Sequence, residues 1–276
     1  MPIIGFSVIF LGLAAAASWG AGDFSGGLAS KRTSAYTVVI ISQFVSLLLL
    51  SIGALLFSEG TNSARNIVIG GVAGIFAATG LVALYTGLAR GPMGLVAPIT
   101  AVVSAIVPAV FSLLNEGLPA WWNMVGFAVA LIAVWMISVG DAKSEFQISD
   151  LKLPIFAGFG FGIFYVLIDL VSDEAILWPL VSARSTSILL ILVTGLLIRG
   201  IEVPLVRQFP LIVLAGIFDT GGNVFFAIAT RIGRLDISAI LSSLYPAVTV
   251  LLAWIILNEK LSRRQWLGVI FTVAAL

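Results

Sequence analysis

From one end to the other the chain alternates long apolar runs with short polar or turn-rich breaks. The runs span roughly 18 to 24 residues, and a helix of about that length crosses a hydrocarbon core of roughly 30 Å. Cutting at the breaks predicts helices at about 3–29, 35–57, 67–89, 93–114, 121–140, 154–171, 177–198, 210–230, 237–257 and 265–276. Stretches such as Leu47 to Leu50 and Ile188 to Val193 are apolar at every position. They therefore lack the period-two alternation of a membrane barrel, and only helices satisfy the backbone of such runs in lipid. The breaks are a few residues long and leave no room for a soluble domain.

The longest polar interruption, Asp141 to Lys152 with Lys143, Glu145 and Asp150, falls almost at the midpoint. It predicts a first five-helix unit over 1–140, a linker over 141–153 and a second unit over 154–276. The halves also match in sequence. Gly74-Ile75-Phe76 recurs as Gly216-Ile217-Phe218, Gly80 as Gly222, Gly91 as Gly233 and Gly126 as Gly268, all displaced by 142 residues, while Leu114-Asn115-Glu116 recurs as Leu257-Asn258-Glu259 at 143. Chance among abundant Gly and Leu is the alternative, and one register held across several helices weighs against it. An odd number of helices per repeat makes the second copy enter the membrane from the opposite side. The expected fold is thus all-α and integral to the membrane, with ten transmembrane helices as two inverted repeats, an arrangement that secondary transporters use with the site at the repeat interface.

Composition narrows the chemistry. Of 276 residues 60% are hydrophobic and only 10% charged, with mean hydropathy +1.17, far too little charge to cover a soluble surface of this size. There is no cysteine and no histidine, which excludes disulfides, thiolate chemistry, imidazole bases and the usual soft metal sites. No cofactor and no enzymatic activity are expected, since no nucleophile accompanies the acids, and no P-loop pattern offers ATP hydrolysis. Net charge is +1, with the basic residues in short loops, so nucleic acid is not a partner. The first span lacks a basic leader and a small-residue cleavage site and is read as a retained helix.

Several short features then resemble the drug/metabolite transporter superfamily, in its EamA-type form with two five-helix repeats. They are the Trp19-Gly20 pair deep in the first helix, the Arg90-Gly91 and Gly233-Arg234 turns, Pro246 inside the ninth helix, and the Asn-Glu endings at Glu116 and Glu259. The resemblance covers nearly the whole chain. It implies a ten-helix basket around a central cavity, opened alternately to either side by rocking of the halves, for substrates such as amino acids, amines, nucleosides and other metabolites. That pattern often has an arginine in both the second and the seventh helix. Here Arg184 stands in the second copy and Gln43 in the first, which makes the cavity less basic and an anionic cargo doubtful.

A charge inside a span costs about 2.5 to 3.5 kcal/mol at the helix centre, so each one is a functional candidate. Asp219 stands mid-helix where the first repeat has Ala77, with Asn223 one turn later on the same face. The intervening Gly221 and Gly222 allow another helix or a ligand close approach. A cavity role and a structural hydrogen-bonded pair are both open for Asp219. Asp23 and Asp169 each follow an aromatic residue by one turn, Trp19 and Tyr165, so both repeats present the same aromatic-plus-acid pair, although either acid could be hydrated near an interface. Arg184 lies about two turns into its helix and suits a carboxylate, on a substrate or on one of the aspartates. Trp19, Tyr165 and Tyr245 lie deep enough to line a cavity and offer cation-π faces worth about 0.5 to 2 kcal/mol; ordinary packing is the competing role. Trp121, Trp122, Trp178 and Trp266 belong to the interfacial belt. Pro98, Pro108 and Pro246 should kink their helices. Glu116 and Glu259, with Lys260, Arg263 and Arg264, read as solvated helix ends, a gating ion pair being the lesser reading.

The expected protein is therefore a secondary transporter of a small polar metabolite, an amino acid, amine or similar zwitterion or cation, working by alternating access in a cell membrane of bacterial or archaeal type. A lipid or lipid-linked sugar flippase on the same fold is the alternative. The residues expected to bind substrate are Trp19, Asp23, Gln43, Tyr165, Asp169, Arg184, Asp219, Asn223 and Tyr245. The expected partners are that small molecule and the lipid bilayer, with protons as a coupling ion and a proton-independent facilitator or exchanger both open, and the chain is expected to be a monomer or homodimer. Ten Lys and Arg lie in the loops on the side reached after the first helix and three on the other. The positive-inside rule then puts both termini outside, whereas the resemblance implies termini in the cytoplasm.

Overall fold

The protein is described here from a computed structural model covering residues 2–59, 63–90, 93–118, 121–138, 151–257 and 262–274. All regular structure among the described residues is helical: α1 Pro2–Ser30, α2 Ala35–Leu56, α3 Ala64–Arg90, α4 Met93–Glu116, α5 Trp121–Ser138, α6 Lys152–Ser172, α7 Leu177–Leu197, α8 Phe209–Ile232, α9 Leu235–Ser242, α10 Tyr245–Leu257 and α11 Arg263–Ala274. A 3-10 turn at Val206–Gln208 leads into α8. Eight segments among the described residues are long and apolar enough to cross a membrane, running from Phe6–Ser30 to Leu235–Leu257, the last of which joins α9 and α10. The remaining two expected crossings correspond to α5 and α11, of 18 and 12 residues. Most of the expected linker, the Gly91 turn and the Asn258-Glu259 ending lie outside the described residues.

The burial pattern is that of a protein dissolved in lipid. On α2 the residues Ser42, Gln43, Ser46, Leu50 and Ala54 are buried, whereas Phe44, Leu48, Ile52 and Leu55 on the opposite face are exposed. The helix thus turns its polar stripe inward and its large apolar side chains outward, where lipid tails give them an apolar surrounding. Leu189, Leu192, Val193 and Leu196 expose the same kind of face on α7.

The ninth expected helix differs from expectation: it breaks at Ser243–Leu244 into α9 and α10. Pro246 is the physical cause, because it has no N–H to donate back to Ser242 and its ring crowds that carbonyl. Pro98 and Pro108, by contrast, sit inside an unbroken α4. The break puts Tyr245 at the start of α10, fully buried, with its hydroxyl donating to the Ala97 carbonyl of α4 at 3.2 Å.

Helices of the two halves interleave. The broadest contacts are α1 with α8 and α3 with α6, followed by α3 with α7, α4 with α6, and α2 with both α7 and α8; α5 packs on α11. Glycines make the closest approaches. A Cβ on Gly74 would strike the Ala183 backbone of α7, and one on Gly216 would strike the Ser42 backbone of α2. The turns are tied in the same reciprocal way. Between α1 and α2, Ser34 donates to the Gly200 carbonyl and Thr37 Oγ1 bonds both the carbonyl (2.9 Å) and the N–H (2.8 Å) of Glu202, in the connection between α7 and α8. Beyond α2, Glu59 accepts the N–H groups of Ile176, Leu177 and Trp178 at 2.8, 2.8 and 2.9 Å, an acidic cap on the N-terminus of α7 that the helix dipole favours. Glu174 in return accepts from Asn66 at the start of α3 at 2.7 Å.

Candidate functional site

The polar stripes of α2, α7 and α8 meet around the Arg184 side chain, which is only 2% exposed. Its Nε donates to Ser46 Oγ at 3.0 Å and its Nη1 to Gln43 Oε1 at 2.8 Å. Nη2 lies 2.9 Å from Asp219 Oδ2 as a close ion pair, without an in-line N–H hydrogen bond. Gln43 turns its amide Nε2 to the same Oδ2 at 3.2 Å, and Asn223 donates to Asp219 Oδ1 at 3.0 Å and to the Asp219 carbonyl at 2.6 Å. Thr220 and Ser46 close the network with a hydroxyl contact of 2.8 Å. Each buried charge is therefore matched by an opposite charge and by dipoles, the condition under which a low-dielectric interior tolerates it.

Beside this network is a cavity whose empty space, counted out into its open side, is about 420 Å³. Its lining takes Arg184, Asp219 and Asn223 from α7 and α8, and Trp19, Asp23, Tyr165 and Tyr245 from α1, α6 and α10; Ala77, Leu81, Phe161 and Phe164 complete it. Trp19 stacks on Tyr165 with ring centroids 5.3 Å apart, and Phe226 of α8 packs behind both, 5.6 and 4.6 Å away. Gly222 is what lets α1 come so close, since a Cβ there would enter the Trp19 indole. Asp23, one turn beyond Trp19, is 8% exposed. Its carboxylate makes no hydrogen bond or ion pair among the described residues.

Of the nine residues singled out from sequence, seven line this cavity. Gln43 lies behind the lining and reaches it through Arg184 and Asp219. Asp169 is not brought there. It stands one turn beyond Tyr165 towards the end of α6, beside the Thr230 hydroxyl and facing the charges of Glu116 and Asp173, so the aromatic-plus-acid pairs of the two repeats have different surroundings. The sequence reading did not single out Phe161, Phe164 and Phe226 as site residues, because one aromatic among many apolar residues carries no signal until its neighbours are known. Ser46 had one available signal: it lies three residues after Gln43 and so shares its helical face.

A second cluster sits where α4 ends and α8 turns into α9. Arg234 pairs with Glu116 at 3.4 Å and with Asp236 at 3.0 Å, and donates to the Gly117 carbonyl at 3.1 Å. The hydrogen bonds that Arg234 donates to the Asp236 carboxylate raise its pKa above its ordinary value. Glu116 thus ends its helix as expected but is also paired across the halves; Glu259 lies outside the described residues.

Comparison with known proteins agrees with this architecture. Residues 6–139 and 151–276 each match the EamA-like transporter family. No curated protein matches the sequence. One solved structure, described only as the crystal structure of a protein, is similar with a TM-score of 0.76 at 13% identity, over 98% of this chain and 94% of that chain, a likeness of fold alone. With both halves matched, the chain is a multi-pass membrane protein that belongs to the EamA-like transporter family, within the drug/metabolite transporter superfamily.

Proposed function

We propose that this protein is a secondary transporter of a small polar metabolite, that the cavity between Arg184 and Trp19 is its substrate site, and that it works by alternating access between two inverted five-helix repeats in the cell membrane. The observation that carries the reading is the convergence of α1, α3, α6, α7, α8 and α10, drawn from both halves, on one partly charged cavity. Charge retained at mid-span against its cost marks a substrate or ion pathway.

Inverted symmetry draws support from the contacts. Exchanging α1, α2 and α3 for α6, α7 and α8 turns the α1·α8 contact into α6·α3 and the α2·α8 contact into α7·α3, each of which exists. It likewise carries Gly74 on Ala183 into Gly216 on Ser42. Gln43 and Arg184 become equivalent, and they touch each other, as positions near a two-fold axis should. The Glu116–Arg234 pair ties the end of α4 to the turn between α8 and α9, and its opening would accompany the rocking of the halves. Arg184, Asp219, Asn223, Trp19, Asp23, Tyr165 and Tyr245 would contact the cargo directly, and Gln43 would position Arg184.

The test is a thermal-stability screen of the detergent-purified protein against amino acids, amines, quaternary ammonium compounds, nucleosides and lipids, followed by counterflow in proteoliposomes with and without a pH gradient. A stabilising soluble compound that also exchanges across the vesicle bilayer is the expected result. Stabilisation by lipids alone would overturn the small-metabolite reading in favour of a flippase, and a rate indifferent to the pH gradient would remove proton coupling.

A further inference from the structure

We infer that the cargo carries a cationic nitrogen, with Asp23 as its counter-ion and Trp19 and Tyr165 as the aromatic faces beside it; this rests on the cavity being the substrate site. The argument is a balance of charge. Three charged side chains line the cavity, Asp23, Arg184 and Asp219. Arg184 and Asp219 lie 2.9 Å apart and cancel. The remaining two nitrogens of the guanidinium are committed to Ser46 and Gln43, at 3.0 and 2.8 Å. Asp23 has no such partner among the described residues, although its residue is 92% buried (8% exposed). When it is ionised, the cavity carries one uncompensated negative charge.

A carboxylate held out of bulk water without a hydrogen-bond donor is costly until a proton or another cation reaches it. The surfaces around it suit that cation. Trp19, Tyr165 and Tyr245 line the cavity with Asp23, and an aromatic ring attracts an ammonium group through its quadrupole. An anion would meet the opposite: it would face Asp23 and would have to separate Arg184 from Asp219 before gaining a partner. The two acids therefore divide the work. The Arg184–Asp219 pair is closed on itself and holds its helices together, and Asp23 selects the charge of the cargo.

Three probes of one shape test this by equilibrium binding to the purified protein: benzylammonium, benzyl alcohol and benzoate. Benzylammonium should bind at least about tenfold more tightly than benzyl alcohol, a difference of about 1.4 kcal/mol, and benzoate should not bind. Asp23→Asn should abolish the tenfold preference and leave benzyl alcohol within about twofold; Asp169→Asn, an acid outside the cavity, should keep it. Loss of benzylammonium binding in Asp23→Asn counts only if benzyl alcohol still binds, which keeps misfolding apart from recognition. A preference that survives Asp23→Asn, tighter binding of benzoate, or no binding of benzylammonium to the wild type would each overturn the inference. Benzylammonium counterflow in proteoliposomes separates this from the broader reading: binding that depends on Asp23 without counterflow would sink transport and leave the charge selection standing.

Discussion

The lining of the cavity holds two acids, on α1 and α8, in opposite circumstances. Asp219 lies against Arg184, Gln43 and Asn223 and is neutralised by its own protein. Asp23, on the neighbouring helix α1, shares the lining with aromatic rings and has no bonded partner among the described residues. Both are mid-helix aspartates in an apolar chain, yet the first looks built for holding α2, α7 and α8 together and the second for meeting something that comes and goes. A buried charge that is paired holds an architecture; one left unpaired holds a vacancy for an opposite charge.

The sharpest way to break that contrast is Arg184→Met. It leaves the Asp219 carboxylate without its cation, and removing one partner of a buried pair costs about 3 to 5 kcal/mol, so thermal melting in detergent should fall steeply. Arg184→Met with Asp219→Asn should recover much of the loss, because the stranded charge is gone. If the single variant melts like the wild type, the pair is not structural. Asp23→Asn should give the converse signature: at least a tenfold loss of counterflow with a melting temperature equal to or above the wild type, since an uncompensated charge is removed. Next in size is Gly222→Val, which drives a side chain into the Trp19 indole and should cost about 1 to 3 kcal/mol by overpacking, with loss of the Trp19–Tyr165 stack visible in tryptophan fluorescence. Smallest in stability is Glu116→Gln. Its pair with Arg234 is partly exposed and worth about 0.2 to 1 kcal/mol, so melting should barely move while labelling of a cysteine introduced at Ala77 from that side rises. Unchanged labelling would leave the pair a static tie.

Much of this was legible in the chain. Run length gave helices and a membrane, and the 142-residue displacement gave two related halves, because crossing a bilayer constrains sequence locally and strongly. Mid-span charge gave Asp219, Arg184 and Asp23 as candidates on cost alone. The interrupted ninth helix was partly visible as Pro246, but whether a proline bends or breaks a helix depends on whether neighbours satisfy the freed carbonyl. Pro98 and Pro108, in a continuous α4, have the same local chemistry and the other outcome.

Pairing was not legible. Asp23 and Asp169 follow aromatic residues at the same spacing, and sequence treated them alike; the fold brings Asp23 to the cavity and leaves Asp169 beside Thr230 and Glu116. Sequence likewise offered Arg184 either Asp169 or Asp219, and only the packing of α7 against α2 and α8 selected Asp219. The chain by itself thus determined which residues are too polar for their surroundings, since that cost is a property of one side chain and the bilayer. Which of them are compensated was decided by the tertiary structure, because a charge is neutralised by what lies within a few ångströms in space, and those partners stand about 35 residues away along the chain for Asp219 and Arg184 and more than 170 for Asp219 and Gln43.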